Sequence, residues 1–258
     1  MSQSEPENDI ALTAVSVSGR DAAAFLQSQL TLDVESVPED RLRPCAWCRP
    51  DGRADAVMLI GRSAGQWWLI LPADIAAPVA KRMSMFSIGR QVELDAGRAA
   101  VAGEGAGTMV LDYDAGRAVS IVEPDAARPL PRDWVRRDIA RGVPWLFADT
   151  RGEFLPQMLG LEALRGLSYG KGCYPGQEVI ARVHYRGRVT RRTACFRLRD
   201  VPPPAPGAAA DVDGDSGTVL YATEDADAGV IGLVVVPAAA TATGAVEVGG
   251  SAGALVGS

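Results

Sequence analysis

Hydrophobic and polar residues alternate over 9–18, which predicts a strand. Gly19 to Leu30 then has the spacing of a short amphipathic helix, with Ser18 as its N-cap. Period-2 runs at 43–49, 54–61 and 66–71 predict three more strands, the first two joined through a turn at Pro50-Asp51-Gly52. Residues 72–86 are helical in pattern, with Pro78 the one awkward residue. Short β-like runs follow at 90–94, 98–102, 108–112 and 118–122, and no long helix is expected between Phe86 and Trp134. Trp134 to Gly142 predicts another helix, and Val179, Ile180 and Val183 mark the apolar face of one running to about Tyr185. Arg192 to Arg199 is a strand, and the proline-rich stretch Val201 to Gly207 is a stiff linker. Beyond it, glycine-punctuated runs at 217–223, 229–236 and 245–249 predict a small barrel or sandwich, while the alanine-rich patches 205–210 and 238–242 read as compositional bias.

A chain of 258 residues, 47% apolar and 22% charged, has the make-up of a soluble globular protein of one or two domains. The formal net charge of −6 argues against generic binding of nucleic acid or membrane surface by the whole chain, so direct nucleic-acid binding is not expected. The polar, acidic start MSQSEPENDI has no secretory or transit character. Val230 to Val246, broken by Gly232, Pro237 and Gly244, reads as strands and loops, not as a membrane span. Four cysteines without an export signal are expected as reduced thiols in a cytoplasm. Nothing in the sequence demands more than a monomer.

Cys45 and Cys48 form a C-x-x-C, a spacing used for metal or redox chemistry. Zinc needs four ligands, however, and the remaining candidates are Cys173, Cys195 and the single His184. Two residues three apart in a strand also face opposite ways, so the pair is read as structural. With one histidine and no G-x-S-x-G elbow, a serine hydrolase is a poor reading. Arg182, Arg186, Arg188, Arg191 and Arg192 crowd together and are either a solvated face or a docking surface for anions. Arg182 lies one turn after Glu178 and is placed to pair with it.

Most informative is Lys171-Gly172-Cys173-Tyr174-Pro175-Gly176-Gln177-Glu178. Pro175 suits the first turn of a helix, so Cys173 would sit near the positive end of a helix dipole with Lys171 close by, and both effects favour a thiolate. The competing reading is a small buried apolar residue, the usual state of a free cysteine.

The octapeptide, continued as Val179-Ile180-Ala181-Arg182, resembles the signature of the YgfZ family, folate-binding proteins related to the aminomethyltransferase (T-protein) of the glycine cleavage system. Gly19-Arg20-Asp21 through Val34, Pro50-Asp51-Gly52-Arg53, Ile139 to Pro144 and Phe154-Leu155-Pro156-Gln157 resemble further family blocks, in family order. The resemblance implies an α+β fold of T-protein type. That fold has two interlocked α/β subdomains around a central hole, within residues 1–200 and trimmed at about 87–131, then a C-terminal β-barrel over 201–258. It implies tetrahydrofolate or a one-carbon derivative in the hole, and a role in assembly or repair of iron–sulfur clusters of selected enzymes, including tRNA-modifying ones. The partners implied are iron–sulfur assembly proteins or client iron–sulfur enzymes. Cys173 becomes the reactive group, activated by Lys171. Gly172 and Gly176 shape its loop, and Tyr174, Gln177, Glu178 and Arg182 are further site residues. Trp134 would stack on the pterin, with Leu12 on the opposite wall where relatives can carry an aromatic. Two departures speak against the transferase reaction. The paired aspartates of the aminomethyltransferases correspond to Ala56 and Val57, with Asp55 one residue early, and an asparagine after the Pro-Gln is replaced by Gly160. A folate-dependent one-carbon transferase and a tRNA-binding module using Arg182 to Arg192 remain the alternatives.

Overall fold

The computed structural model describes residues 9–103, 108–225, 229–240 and 244–256. The N-terminal segment 1–8 and part of the alanine-rich patch 238–242 lie outside them. The chain order is β1 (Leu12–Ser18), α1 (Ala22–Gln29), β2 (Arg41–Cys48), β3 (Ala54–Ser63), β4 (Gln66–Pro72), α2 (Ala73–Ser84), β5 (Glu93–Gly103), β6 (Thr108–Leu111) and β7 (Asp114–Val122). Then come α3 (Arg132–Arg141), α4 (Gln177–Arg186), β8 (Arg191–Arg199), β9 (Ala209–Val212), β10 (Asp215–Glu224), β11 (Gly229–Pro237), β12 (Ala245–Val248) and β13 (Ser251–Val256). The fold is α+β with two closed barrels. One runs β1-β4-β3-β2-β6-β7-β5 and the other β10-β11-β8-β13-β12-β9.

The period-2 pattern of the first sheet sorts its side chains between two cores. Cys45, Trp47, Ala56, Met58 and Ile60 pack with α1 and α2. Leu42, Ala46, Cys48, Val57 and Leu59 face the other way, into a core shared with α3 and the second barrel. Phe25 and Leu26 of α1 are fully buried, each contributing about 2 kcal/mol from the area removed from water. Pro78 lies on the exposed face of α2, on the same side as the exposed Asp74 four residues before it.

Several expectations need correction. Ser18 does not cap α1. It closes β1, and Gly19 then takes φ +105 where a Cβ would strike the Gln91 carbonyl oxygen at 2.1 Å, so the helix starts only at Ala22. The runs at 90–94 and 98–102 are one strand, β5, whose pairing with β1 is kept continuous by a register shift between Ala14 and Ser16. β5 pairs with β1 and β6 runs parallel to β2, so the trimmed middle segment completes a single seven-stranded sheet. The boundary expected at residue 200 falls within the second barrel, because β8 pairs with β11 and β13. The proline-rich linker is therefore a connection between β8 and β9. Strands β9 and β13 escape sequence reasoning, being short and alanine- or glycine-rich, with little apolar alternation to mark them.

The second barrel docks on the first through Cys195, Leu220, Tyr221, Ile231, Leu233 and Val235, which join the core containing α3. Tyr221 is fully buried, and its hydroxyl donates to the Val143 carbonyl at 2.6 Å. Among the described residues no helix is long and apolar enough to cross a membrane.

Candidate functional site

The cysteine motif forms a loop ahead of α4, and three separate parts of the chain hold it. Thr31, just after α1, donates its hydroxyl to the Gly166 carbonyl at 2.8 Å, and its own carbonyl accepts the Ser168 N–H at 2.9 Å. Lys171 donates its ammonium to the carbonyls of Leu30 at 2.6 Å and Leu32 at 2.7 Å. The Gln157 amide donates to the Ile180 carbonyl at 2.7 Å. The β2–β3 turn closes the third side. Gly176 has φ +80, and a Cβ there would lie 2.5 Å from the Arg49 carbonyl oxygen and 2.6 Å from the Gly52 Cα. The Gln-Leu-Thr-Leu block, the Pro-Asp-Gly turn and the Pro-Gln are thus the clamps of one loop.

That loop presents Cys173 to solvent, while Cys45, Cys48 and Cys195 are buried. The inert, buried reading therefore holds for those three and not for Cys173. Burial pushes the thiols of Cys45 and Cys48 far above their ordinary range, and Cys195 up to about 11. Cys45 and Cys48 belong to different cores, as strand geometry required. Among the described residues no cluster of metal-ligating side chains occurs.

Pro175 does not occupy the first turn of α4. Gly176 is the N-cap and Gln177 the first helical residue, because the left-handed Gly176 makes the turn against Gly52. Lys171 is half-buried, and desolvation lowers its pKa to about 8. Its ammonium lies 5.3 Å from the Tyr174 ring centroid. Tyr174 is buried, and its hydroxyl has no hydrogen-bond partner among the described residues. Burial raises that phenol well above its usual value. Gly172 is exposed, with open space where a methyl group would stand. Glu178 and Arg182 are both exposed, and among the described residues they form no ion pair with each other despite their spacing.

Trp134 lies elsewhere. It is 9% exposed and lines a cavity of about 370 Å³ with Gly103, Gly116, Arg117, Asp133 and Arg137. No residue from 171 to 178 lines this cavity. Leu12 does not line it either, being packed in the core behind it. Leu12 pairs with Pro72 and Ala100 in the sheet and lies in the same core as Trp134. Sequence reasoning missed Arg117, which is buried and pairs with Asp114 at 2.9 Å and Asp138 at 2.8 Å. Its guanidinium covers the Trp134 ring at 4.7 Å, and its Nη2 has no hydrogen-bond partner among the described residues. Asp138 also accepts the Trp145 indole N–H at 3.0 Å. Burial raises the Asp138 pKa despite both partners, whereas for Asp114 the opposing pull of Arg117 and Arg137 outweighs burial and lowers it. No periodicity marks these residues; strand β7 and helix α3 bring them together.

A second unforeseen cluster surrounds Asp55. The register shift between Trp47 and Cys48 makes Asp55 the extra residue of a bulge in β3. Its carboxylate, 1% exposed, takes Arg49 at 2.7 Å, Arg151 at 2.8 Å and Arg82 at 3.3 Å. Burial raises its pKa, but hydrogen bonds from Arg49 and Arg151 win and hold it below the ordinary carboxylate value. Ala56 and Val57 beside it are buried. Of the arginine run, Arg191 donates to the Ser216 hydroxyl and Arg192 to the Ala240 carbonyl, while Arg182, Arg186 and Arg188 stay exposed.

No family model matches the chain. The "tRNA-modifying protein YgfZ" of Colwellia psychrerythraea is 30% identical over 71% of this chain and 68% of that protein. The protein of the same name from Edwardsiella ictaluri is 29% identical over 84% and 79% of the two chains. An uncharacterized Haemophilus influenzae protein is 31% identical over 72% and 70%. Among solved structures, the glycine cleavage system aminomethyltransferase T from Bartonella henselae matches with a TM-score of 0.67 at 16% identity, covering 97% of this chain and 84% of that one. At that identity the likeness is one of fold.

Proposed function

The chain belongs to the YgfZ family, and from that premise we propose that it binds a reduced folate and uses Cys173 in the assembly or repair of iron–sulfur clusters in selected client enzymes. The carrying observation is the contrast between one exposed, clamped thiol and three buried ones. A loop tied to Leu30, Leu32, Gln157 and the β2–β3 turn holds its sulfur in a set position at little further entropy cost. Relatives bearing the name tRNA-modifying protein favour tRNA-modifying iron–sulfur enzymes among the clients. Cytoplasmic location and a monomeric state go with this reading.

For the folate, the Trp134 cavity fits best. It combines an indole, the unpartnered Nη2 of buried Arg117, and Arg137 at the rim. The two guanidiniums suit the carboxylates of a glutamate tail. Arg117 covers one face of Trp134, and the ring is otherwise mostly packed in the core, so a pterin would meet the part of the indole that borders the cavity. A bound tetrahydrofolate would supply a one-carbon carrier. Lys171 orients the thiol loop from beneath and, with a pKa near 8, can shed a proton close to neutral pH. Aminomethyl transfer is disfavoured, because Ala56 and Val57 carry no carboxylate and Asp55 is engaged by three guanidiniums.

The test is complementation. In a strain lacking its own family member, Cys173→Ala should fail to rescue iron–sulfur enzyme activity while tetrahydrofolate titration, followed by tryptophan fluorescence, stays unchanged. A thiol reagent should label one fast site in the native protein and none in Cys173→Ala. Full rescue by Cys173→Ala would refute the role given to this sulfur.

A further inference from the structure

Residues 179–199 hold seven arginines and no carboxylate. The whole chain carries −6, so the remainder carries −13 against the +7 of this one segment. The overall acidity that argued against a polyanion partner therefore conceals a strongly cationic face. Part of that charge is spent internally: Arg197 pairs with Asp225, and Arg191 and Arg192 bond to Ser216 and Ala240. Arg182, Arg186 and Arg188 are exposed and make no ion pair among the described residues.

Between these three in sequence is Tyr185. Four large apolar or aromatic side chains of the described residues are exposed. Met85, Phe86 and Ile88 neighbour one another after α2, whereas Tyr185, 68% exposed, belongs to the arginine-bearing stretch of α4. Positions 182, 185 and 186 share one face of α4. Behind Tyr185 the rings are already ordered. His184 stacks on Tyr169 with centroids 3.8 Å apart and planes 17° apart, and Tyr185 meets His184 edge-on at 4.7 Å. Glu162 fixes this stack by accepting from the Tyr169 hydroxyl and lying 3.1 Å from His184 Nδ1.

We propose that this face of α4, with the turn carrying Arg188, binds single-stranded RNA, with Tyr185 as a stacking platform for a base and Arg182, Arg186 and Arg188 on successive phosphates. An exposed aromatic ring with arginines on the same helix face is what a base flanked by phosphates requires, and guanidinium is the better phosphate ligand of the two cationic side chains. An anionic membrane or an acidic protein surface would engage the guanidiniums without stacking on the ring as a base does, and a polyanion without bases separates these cases. The surface uses neither Trp134 nor Cys173 nor any residue lining the Trp134 cavity, and shares only Arg182 with the residues that the resemblance assigns to the site.

The experiment is fluorescence anisotropy with a fluorescein-labelled RNA hairpin bearing a single-stranded loop, run over a salt series, with heparin as a polyanion that has no bases. Replacing Arg182, Arg186 and Arg188 together by glutamine should weaken both ligands and flatten the salt dependence for RNA by about 2 in slope. Tyr185→Ala should weaken RNA about tenfold and leave heparin unchanged, while Tyr185→Phe keeps RNA affinity. These side chains are exposed, so circular dichroism should match the wild type in every variant. Unchanged RNA affinity in the triple variant would overturn the proposal. Equal loss of RNA and heparin on Tyr185→Ala would also overturn it, in favour of an acidic partner. Cys173→Ala should bind RNA as the wild type does, which keeps failure here distinct from failure of the thiol's role.

Discussion

Gly176 rests directly on Gly52. A methyl group at residue 176 would come within 2.6 Å of the Gly52 Cα, and one at residue 52 would lie 3.0 Å from the Val179 Cβ. Two turns from distant parts of the sequence are thus in backbone contact, and that contact sets where the thiol loop ends and α4 begins. Both residues also have positive φ, +80 and +82, which side chains resist.

Gly176→Ala should therefore destabilise the protein by about 3 kcal/mol, from overpacking against backbone together with left-handed strain. Urea unfolding followed by circular dichroism measures this as a lower midpoint. Gly172→Ala, at an exposed position with open space around it, is the control and should shift the midpoint little. Equal midpoints for the two variants would show that the Gly176–Gly52 contact does not hold the loop.

Lys171 gives a pH signature. Desolvation lowers its pKa from 10.5 to about 8, so between those values the unfolded chain binds more protons than the folded one. Stability rises with pH wherever that is so. Relative to Lys171→Met, the wild type should gain stability as pH goes from 8 towards 10.5. Unfolding midpoints of the two proteins across that range provide the measurement. A constant difference would mean that the ammonium beside Leu30 and Leu32 is not desolvated.

Asp55 acts in the opposite direction. Its folded-state pKa is depressed, so its contribution is present above the ordinary carboxylate value of 3.8 and is lost as pH falls through the lower folded value. Asp55→Asn leaves Arg49, Arg82 and Arg151 facing a neutral amide, a loss of about 3 kcal/mol at neutral pH by analogy with broken buried pairs. Acid titration of stability should lose part of its lowest-pH limb in the variant. An unaltered acid limb would show that the carboxylate is not the centre of the cluster.

The sequence by itself determined most elements of the first barrel, α2, α3 and the extent of α4, because alternation and helical spacing survive wherever one face is buried. It also singled out Lys171 to Glu178 and, through the resemblance of its blocks, the fold. Tertiary structure alone decided the rest. Cys173 is exposed because Lys171 turns inward to Leu30 and Leu32, contacts about 140 positions away in the chain. Arg117 reached Trp134, and Arg151 reached Asp55, only once strands and loops had closed around them. Glu178 and Arg182 remained apart although their spacing allowed a pair. Local pattern records which face of an element must leave water. It carries no record of which distant carbonyl, carboxylate or ring will be waiting there, since that depends on the relative placement of elements that only the packed core fixes.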